Sequence, residues 1–145
     1  MGKKQINSLY KTSVTAAAGA PQIPVKDWTA FEGGNITRET NAYFEGGMRH
    51  SVYGGKATAE DITIRTGYDP DRDDVWLPRA ENAIMTGDPR YTLTRQPINE
   101  AGALRGKAVV YPDCVLKGIN RPNSEDGTSA DVGQIELVFA TSGPK

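Results

Sequence analysis

The densest set of groups able to do chemistry in this sequence is the acidic run Asp69-Pro-Asp-Arg-Asp-Asp74. Carboxylates at its first, third and fifth places match the opening of a calcium-binding loop, where oxygen ligands converge on a hard cation. The rest of the pattern fails. The sixth place, which needs glycine for a sharp turn, holds Asp74, and the twelfth, which needs a bidentate glutamate, holds Ala80. The same run reads as the start of a helix: Asp69 is a good N-cap, Pro70 suits the first helical position, and Asp71, Asp73 and Asp74 lie near the positive end of the helix dipole. Capping is the reading adopted here, with a cation site as its rival.

Other candidates carry less. His50 is the only histidine, so a two-histidine zinc site is ruled out and a Ser-His-Asp relay would depend on this one residue. It falls in a glycine-rich stretch beside Arg49 and Ser51 and reads as a solvated loop histidine. Cys114 is the single cysteine; it lies in an apolar segment and reads as a buried, inert thiol. The pairs Gly33-Gly34, Gly46-Gly47 and Gly54-Gly55 fit no phosphate-binding motif and read as turns or hinges. Asn35-Ile-Thr37 matches a glycosylation triplet that arises often by chance. No pair of carboxylates stands out as an acid and base. The sequence predicts neither a catalytic residue, a metal ligand nor a cofactor, and the chain is read as a non-enzyme.

Composition sets the frame for these residues. The chain has 145 residues with a net charge of −1, from 17 basic and 18 acidic side chains. That length fits one domain, and that balance argues against a dedicated nucleic-acid binder. A lone cysteine allows no intramolecular disulfide and fits a reducing compartment. The basic Met1–Gln5 segment is followed by no apolar run of signal-peptide length, and no apolar stretch approaches the ~20 residues that span a bilayer. The expectation is a protein made in the cytoplasm without membrane insertion.

The elements that must position these groups are mostly strands. Met1–Lys26 has few large apolar residues and is broken by Pro21 and Pro24, with Thr12–Thr15 its one strand-like piece. It is expected to be an extended arm (residues 1–26) attached to a domain at 27–145, outside the core. Asn35–Phe44 and Lys56–Thr66 read as strands, the latter with Ile62 and Ile64 on one face. Glu45–Gly55, with four glycines, reads as a long flexible loop. The helix that Asp69 opens is expected to break at Pro78. Tyr91–Gln96 alternates; Arg105–Tyr111 and Asp113–Asn120 are split by Pro112; Asn123–Ser129 is a polar loop. Gln134–Thr141 places Ile135, Leu137 and Phe139 on one face. Half-apolar, half-polar strands predict a mainly β protein, an antiparallel β-sandwich or partly closed barrel with one short helical segment.

Four pieces in order carry a family resemblance: Lys56–Arg65 with Tyr68–Arg72, Tyr91–Ile98, Tyr111–Pro122, and Gln134–Gly143 after a Ser/Asp-rich loop. Across residues 56 to 143 the chain resembles phage tail tube (major tail) proteins, with Pro78 as a departure where the family's helix continues. The resemblance implies a virion subunit, assembled in the host cytoplasm, that closes into a six-membered ring. Rings stack into a hollow tube that guides DNA without sequence-specific binding. The implied partners are copies of itself, tape-measure, baseplate or tail-tip and tail terminator proteins, and in contractile tails a sheath. A channel wall that attracted phosphate would slow DNA, because each cationic contact adds affinity through counterion release.

Two surface assignments follow. Glu39, Asp61 and Glu136, on polar faces of predicted strands, are the candidate channel-lining residues, with ordinary surface charge as the alternative. Met48, His50, Val52 and Tyr53, in the long loop, are the candidate inter-ring contacts. The rival readings are another virion or secretion-type tube or baseplate component, a monomeric β-sandwich module holding a glycan or calcium, and a small hydrolase on a β scaffold.

Overall fold

The computed structural model describes Gln5 and residues 10–45, 49–122 and 133–144. Eight strands and one helix are described: β1 (Tyr10–Ala16), β2 (Ala30–Gly33), β3 (Ile36–Glu45), β4 (Arg49–Ala59), β5 (Ile62–Gly67), α1 (Pro70–Thr86), β6 (Arg90–Pro97), β7 (Val109–Asn120) and β8 (Gln134–Ala140). Six of the strands form an antiparallel sheet in the order β1-β6-β7-β8-β5-β2, and β3 and β4 form a separate two-stranded hairpin. The large sheet curls into a half-barrel.

Alternation decides which side of the sheet is the core. Ile62, Ile64 and Thr66 of β5, and Ile135, Leu137 and Phe139 of β8, are all fully buried, while the residues between them are not. Tyr91 and Leu93 of β6, with Cys114 and Leu116 of β7, continue the same face. Helix α1 covers it with Trp76, Leu77 and Ala80. The mainly β, partly closed architecture read from the strand pattern is the one observed.

Several local expectations are corrected. Met1–Lys26 was expected to lie outside the core. Within it, Tyr10–Ala16 forms edge strand β1, paired with β6 from Tyr10↔Pro97 to Ala16↔Tyr91. Residues 17–29 then cross the open side of the sheet as an irregular strap. Pro21 and Pro24 deny it a regular backbone ladder, yet Ile23, Val25 and Trp28 are buried in the core. The Tyr91 hydroxyl donates to Pro21 O at 2.7 Å, and Thr66 Oγ1 donates to Asp27 O at 3.2 Å. Positions 1–4 and 6–9 of the expected arm lie outside the described residues, as does the polar loop 123–129.

The expected loop Glu45–Gly55 is largely strand: Arg49–Gly55 opens β4 and pairs back along β3, with Tyr43↔Ser51 and Phe44↔His50. Glycine content signalled a loop; the Gly54-Gly55 pair instead sits where the register shifts, opposite Arg38–Thr40, as glycines do in a bulge. The predicted strand Lys56–Thr66 is two strands, split at Glu60-Asp61. Pro112 does not split β7. Between the pairs Tyr91↔Cys114 and Leu93↔Tyr111, Pro112 and Asp113 together face Thr92, which forms a bulge. Asp113 has φ 56°, a left-handed conformation that aspartate tolerates better than most residues. The bulge leaves Pro112 without a ladder donor to supply.

Helix α1 also runs through Pro78 without a break, for 17 residues. Proline costs the backbone bond to the carbonyl four residues earlier. The anchors on either side, Trp76, Leu77 and Ala80, hold the helix against the sheet despite that loss. Gly33, at the end of β2, has φ 89°, and a Cβ there would come within 1.9 Å of Asp61 O, so the turn into β3 admits glycine alone.

The acidic run is a cap and an anchor. The Asp69 side chain accepts from Asp71 N at 3.1 Å. Asp73 is fully buried; it accepts from Arg72 Nε at 2.7 Å, Trp76 Nε1 at 2.9 Å and Asp69 N at 2.9 Å. Burial pushes its carboxyl up, but the bonds from Arg72, Asp69 N and Trp76, with the charge of Arg72, outweigh burial and leave it below the ordinary carboxylate value. Such a group contributes stability that is fully present above the unfolded carboxylate value of about 3.9 and is lost as pH falls through the folded value beneath it. Asp73→Asn is expected to destabilise the protein by about 2–4 kcal/mol at pH 7 and to flatten the acid limb of its stability curve, measured by chemical denaturation from pH 7 to pH 2.5.

Candidate assembly surfaces

The half-barrel leaves three surfaces that a partner could complete: the free edge of β1, the free edge of β2, and the β3–β4 hairpin. Edge strands carry unpaired backbone donors and acceptors, and proteins cover them or use them for pairing between chains. The hairpin is built from backbone pairs running from Ile36↔Ala59 to Glu45↔Arg49 and, among the described residues, joins no strand of the large sheet.

The solvent face of the large sheet is polar and internally paired. Arg65 on β5 donates to Glu136 on β8 at 2.8 Å and to Glu32 on β2 at 2.6 Å, and Asn120 at the end of β7 donates to Glu136 at 3.0 Å. Two carboxylates share one guanidinium, so the cluster is net acidic while its one cation is engaged. Hydrogen bonds from Arg65 to Glu32 and Glu136 raise the guanidinium pKa further, so it stays charged. Asp61, in the turn between β4 and β5, forms an ion pair with Lys117 on β7. Beyond the sheet, Glu81 of α1 is gripped by Arg121, which follows β7; the hydrogen bond from Arg121 holds the Glu81 carboxyl below its usual value.

Of the proposed channel-lining residues, Glu136 lies on the polar face of the six-stranded sheet, Asp61 in the adjoining turn, and Glu39 on the separate hairpin, where the structure describes the backbone alone. Glu136 and Asp61 have separate partners, Arg65 and Lys117. Of the proposed inter-ring contacts, His50, Val52 and Tyr53 lie on strand β4, with the backbone again what is described, and Met48 lies outside the described residues. Sequence reasoning missed Arg65. It read as one charge in an alternating strand, and only the pairing Arg65↔Glu136 shows what it bridges.

Among the described residues no group of three or more His, Cys, Asp or Glu is placed to hold a metal, and no helix is long and apolar enough to cross a membrane. Asp69 and Asp73, the core of the calcium-like run, spend their oxygens on Asp71 N, Asp69 N, Arg72 and Trp76.

No family model matches the sequence, and no curated protein sequence matches it. Solved structures do. A chain of the PVC sheath–tube complex, an extracellular contractile injection system in its extended state, superposes with a TM-score of 0.76 at 20% identity, over 98% of this chain and 90% of that one. A chain of the PVC sheath/tube terminator gives 0.80 at 19% identity, over 99% and 96%. A chain of the anti-feeding prophage tube-terminating cap gives 0.73 at 18% identity, over 100% and 91%. The fold is the one these chains of contractile injection particles share. The likeness of fold covers 98–100% of the chain, where the resemblance read from sequence covered residues 56–143.

Burial pushes the Cys114 thiol up, and the residue has no exposed surface. A thiol both protonated and enclosed reacts slowly. Native protein is expected to take up maleimide at Cys114 at least about 100-fold more slowly than unfolded protein, read by intact mass; rapid native labelling would show that the β6–β7 face opens.

Proposed function

We propose that the chain is a structural, non-enzymatic subunit of a particle tail, stacking as hexameric rings into a hollow tube through which DNA passes. The observation that carries this reading is the superposition on components of contractile injection particles, over 98–99% of this chain and 90–96% of those chains. The free edges of β1 and β2 suit closure by neighbouring copies, since pairing would remove the exposed backbone groups. The partners we assign are further copies of the chain, a tape-measure protein, terminator and baseplate components, and a sheath where the tail contracts; the site of assembly is the host cytoplasm.

Within that reading, the polar face carrying Glu136, together with Asp61, is the proposed channel wall, and Glu39 is proposed to extend it along the hairpin. A wall whose Arg65 is shared by Glu32 and Glu136 offers phosphate no free guanidinium at that point and fits fast passage of DNA. The hairpin, with Met48, His50, Val52 and Tyr53, is proposed to reach the next ring.

A second reading has a specific basis: the chain also superposes on chains of a tube terminator and a terminating cap. The two part on growth. A tube subunit polymerises, and a cap forms single rings.

Electron microscopy of the purified protein at rising concentration decides between them. Uniform hollow tubes are expected; isolated rings would move the assignment to a terminator, and monomers even with tail-initiation complexes added would overturn both. Replacing residues 41–53 with an Asn-Gly turn, which joins the paired Thr40 and Gly54, is expected to leave a cooperatively folding subunit that forms no tubes. Normal tubes from that variant would remove the hairpin from the stacking contact.

A further inference from the structure

Where the half-barrel fails to close, its two edge strands face each other across a cavity of about 540 Å³, lined by Tyr10 and Thr12 of β1, Trp28 and Thr29 of the strap, Phe31 and Glu32 of β2, and Arg95 of β6. Arg95 spans this seam. Its guanidinium carbon lies 4.0 Å from the Tyr10 ring centroid and 5.1 Å from that of Phe31, a cation held between two aromatic rings. The rings fix the guanidinium but accept none of its in-plane hydrogen bonds.

Among the described residues, two buried side-chain polar atoms lack a hydrogen-bond partner: Trp28 Nε1 and Arg95 Nε. Both residues line this one cavity. Trp28 is 91% buried, from a relative exposure of 9%. Both groups are donors that cannot accept. Buried donors are normally paired, and a pair of orphans in one cavity marks an absent acceptor. The lining has acceptors of its own in Glu32, Tyr10, Thr12 and Thr29, and Glu32 Oε1 takes a bond from Arg65 at 2.6 Å, but none of them bonds Trp28 Nε1 or Arg95 Nε.

We propose that the seam between β1 and β2 is a carboxylate-binding site, in which Arg95 and Trp28 donate to a carboxylate from outside the chain. A carboxylate is planar, brings two acceptor oxygens and matches the guanidinium fork. Its single charge meets less repulsion from Glu32 than a phosphate dianion would. Two sources share this chemistry: a free small carboxylate, and an Asp or Glu side chain of a second copy. The site does not rest on the tube reading, because a monomer would hold it equally.

The test follows the indole N–H signals of the intact protein by ¹⁵N NMR. The chain has two tryptophans, and Trp28→Phe assigns the pair. Trp76 serves as an internal control, since its Nε1 already donates to Asp73. Wild-type protein is titrated with sodium acetate against sodium chloride at equal ionic strength, and its assemblies are observed by solid-state spectra. A saturable shift of the Trp28 signal with acetate, weakened at least about tenfold in Arg95→Gln, identifies a free-carboxylate site. Trp28 indole and Arg95 Nε–H signals that ignore acetate but move together on self-association, and in Trp28's case not in Arg95→Gln, identify a second copy as the source. A Trp28 signal unmoved by acetate and by assembly overturns the proposal, and so does an acetate shift that persists undiminished in Arg95→Gln. Where Arg95→Gln folds poorly, the wild-type Arg95 Nε–H signal decides instead: it shifts together with the Trp28 indole, on acetate or on assembly, if the two donors share a carboxylate, and a Trp28 shift without it overturns the proposal.

Discussion

A single buried carboxylate, Asp73, joins the three layers of this molecule. It takes two bonds from Arg72, one from Trp76 and one from Asp69 N. Arg72 in turn donates to Gly67 O at the end of β5 and to Asp27 in the strap. Helix, the end of β5 and strap meet at that point. A charge this deep in the protein is tolerated because its lone pairs are filled and its counterion is adjacent. The geometry fixes the start of α1 so that Trp76, Leu77 and Ala80 land on the sheet, and the helix keeps its course through Pro78.

With one face of the sheet closed by α1 and the strap, everything left for interaction lies elsewhere: on the polar face, on the two edges and on the hairpin. This division suits a building block. The core described lies within one chain, so folding needs no partner to supply it. The edges are not complete, and Arg95 between Tyr10 and Phe31 holds them in a fixed relation without hydrogen-bonding them to each other. Such an opening is stable enough to persist and still has donors to offer. The paired charges of the outer face carry little stability of their own, because exposed ion pairs are screened and entropically costly. Their effect is on the potential that a partner meets.

The sequence by itself determined the fold class, the faces of β5, β6 and β8, and the cap at Asp69, because these depend on local rules: alternation along a strand and the chemistry of a helix start. It also carried enough ordered motif to resemble tail tube proteins, and the fold agrees. Where it misled, a local signal was overruled by a distant partner. Glycines at Gly54-Gly55 suggested a loop, and pairing with β3 made a bulged strand. Pro78 and Pro112 suggested breaks, and packing carried the helix through one while a bulge absorbed the other. Ile23 and Val25 sat among prolines with no periodicity, and only the uncovered side of the sheet gave them a core to enter. Tertiary structure alone brought Arg65 between Glu32 and Glu136, and Arg95 beside Trp28, across separations that no sequence pattern spans. Side-chain chemistry is written residue by residue, but which groups end within a hydrogen bond of each other depends on strand order and curl, and those are set by the burial of the whole inner face at once.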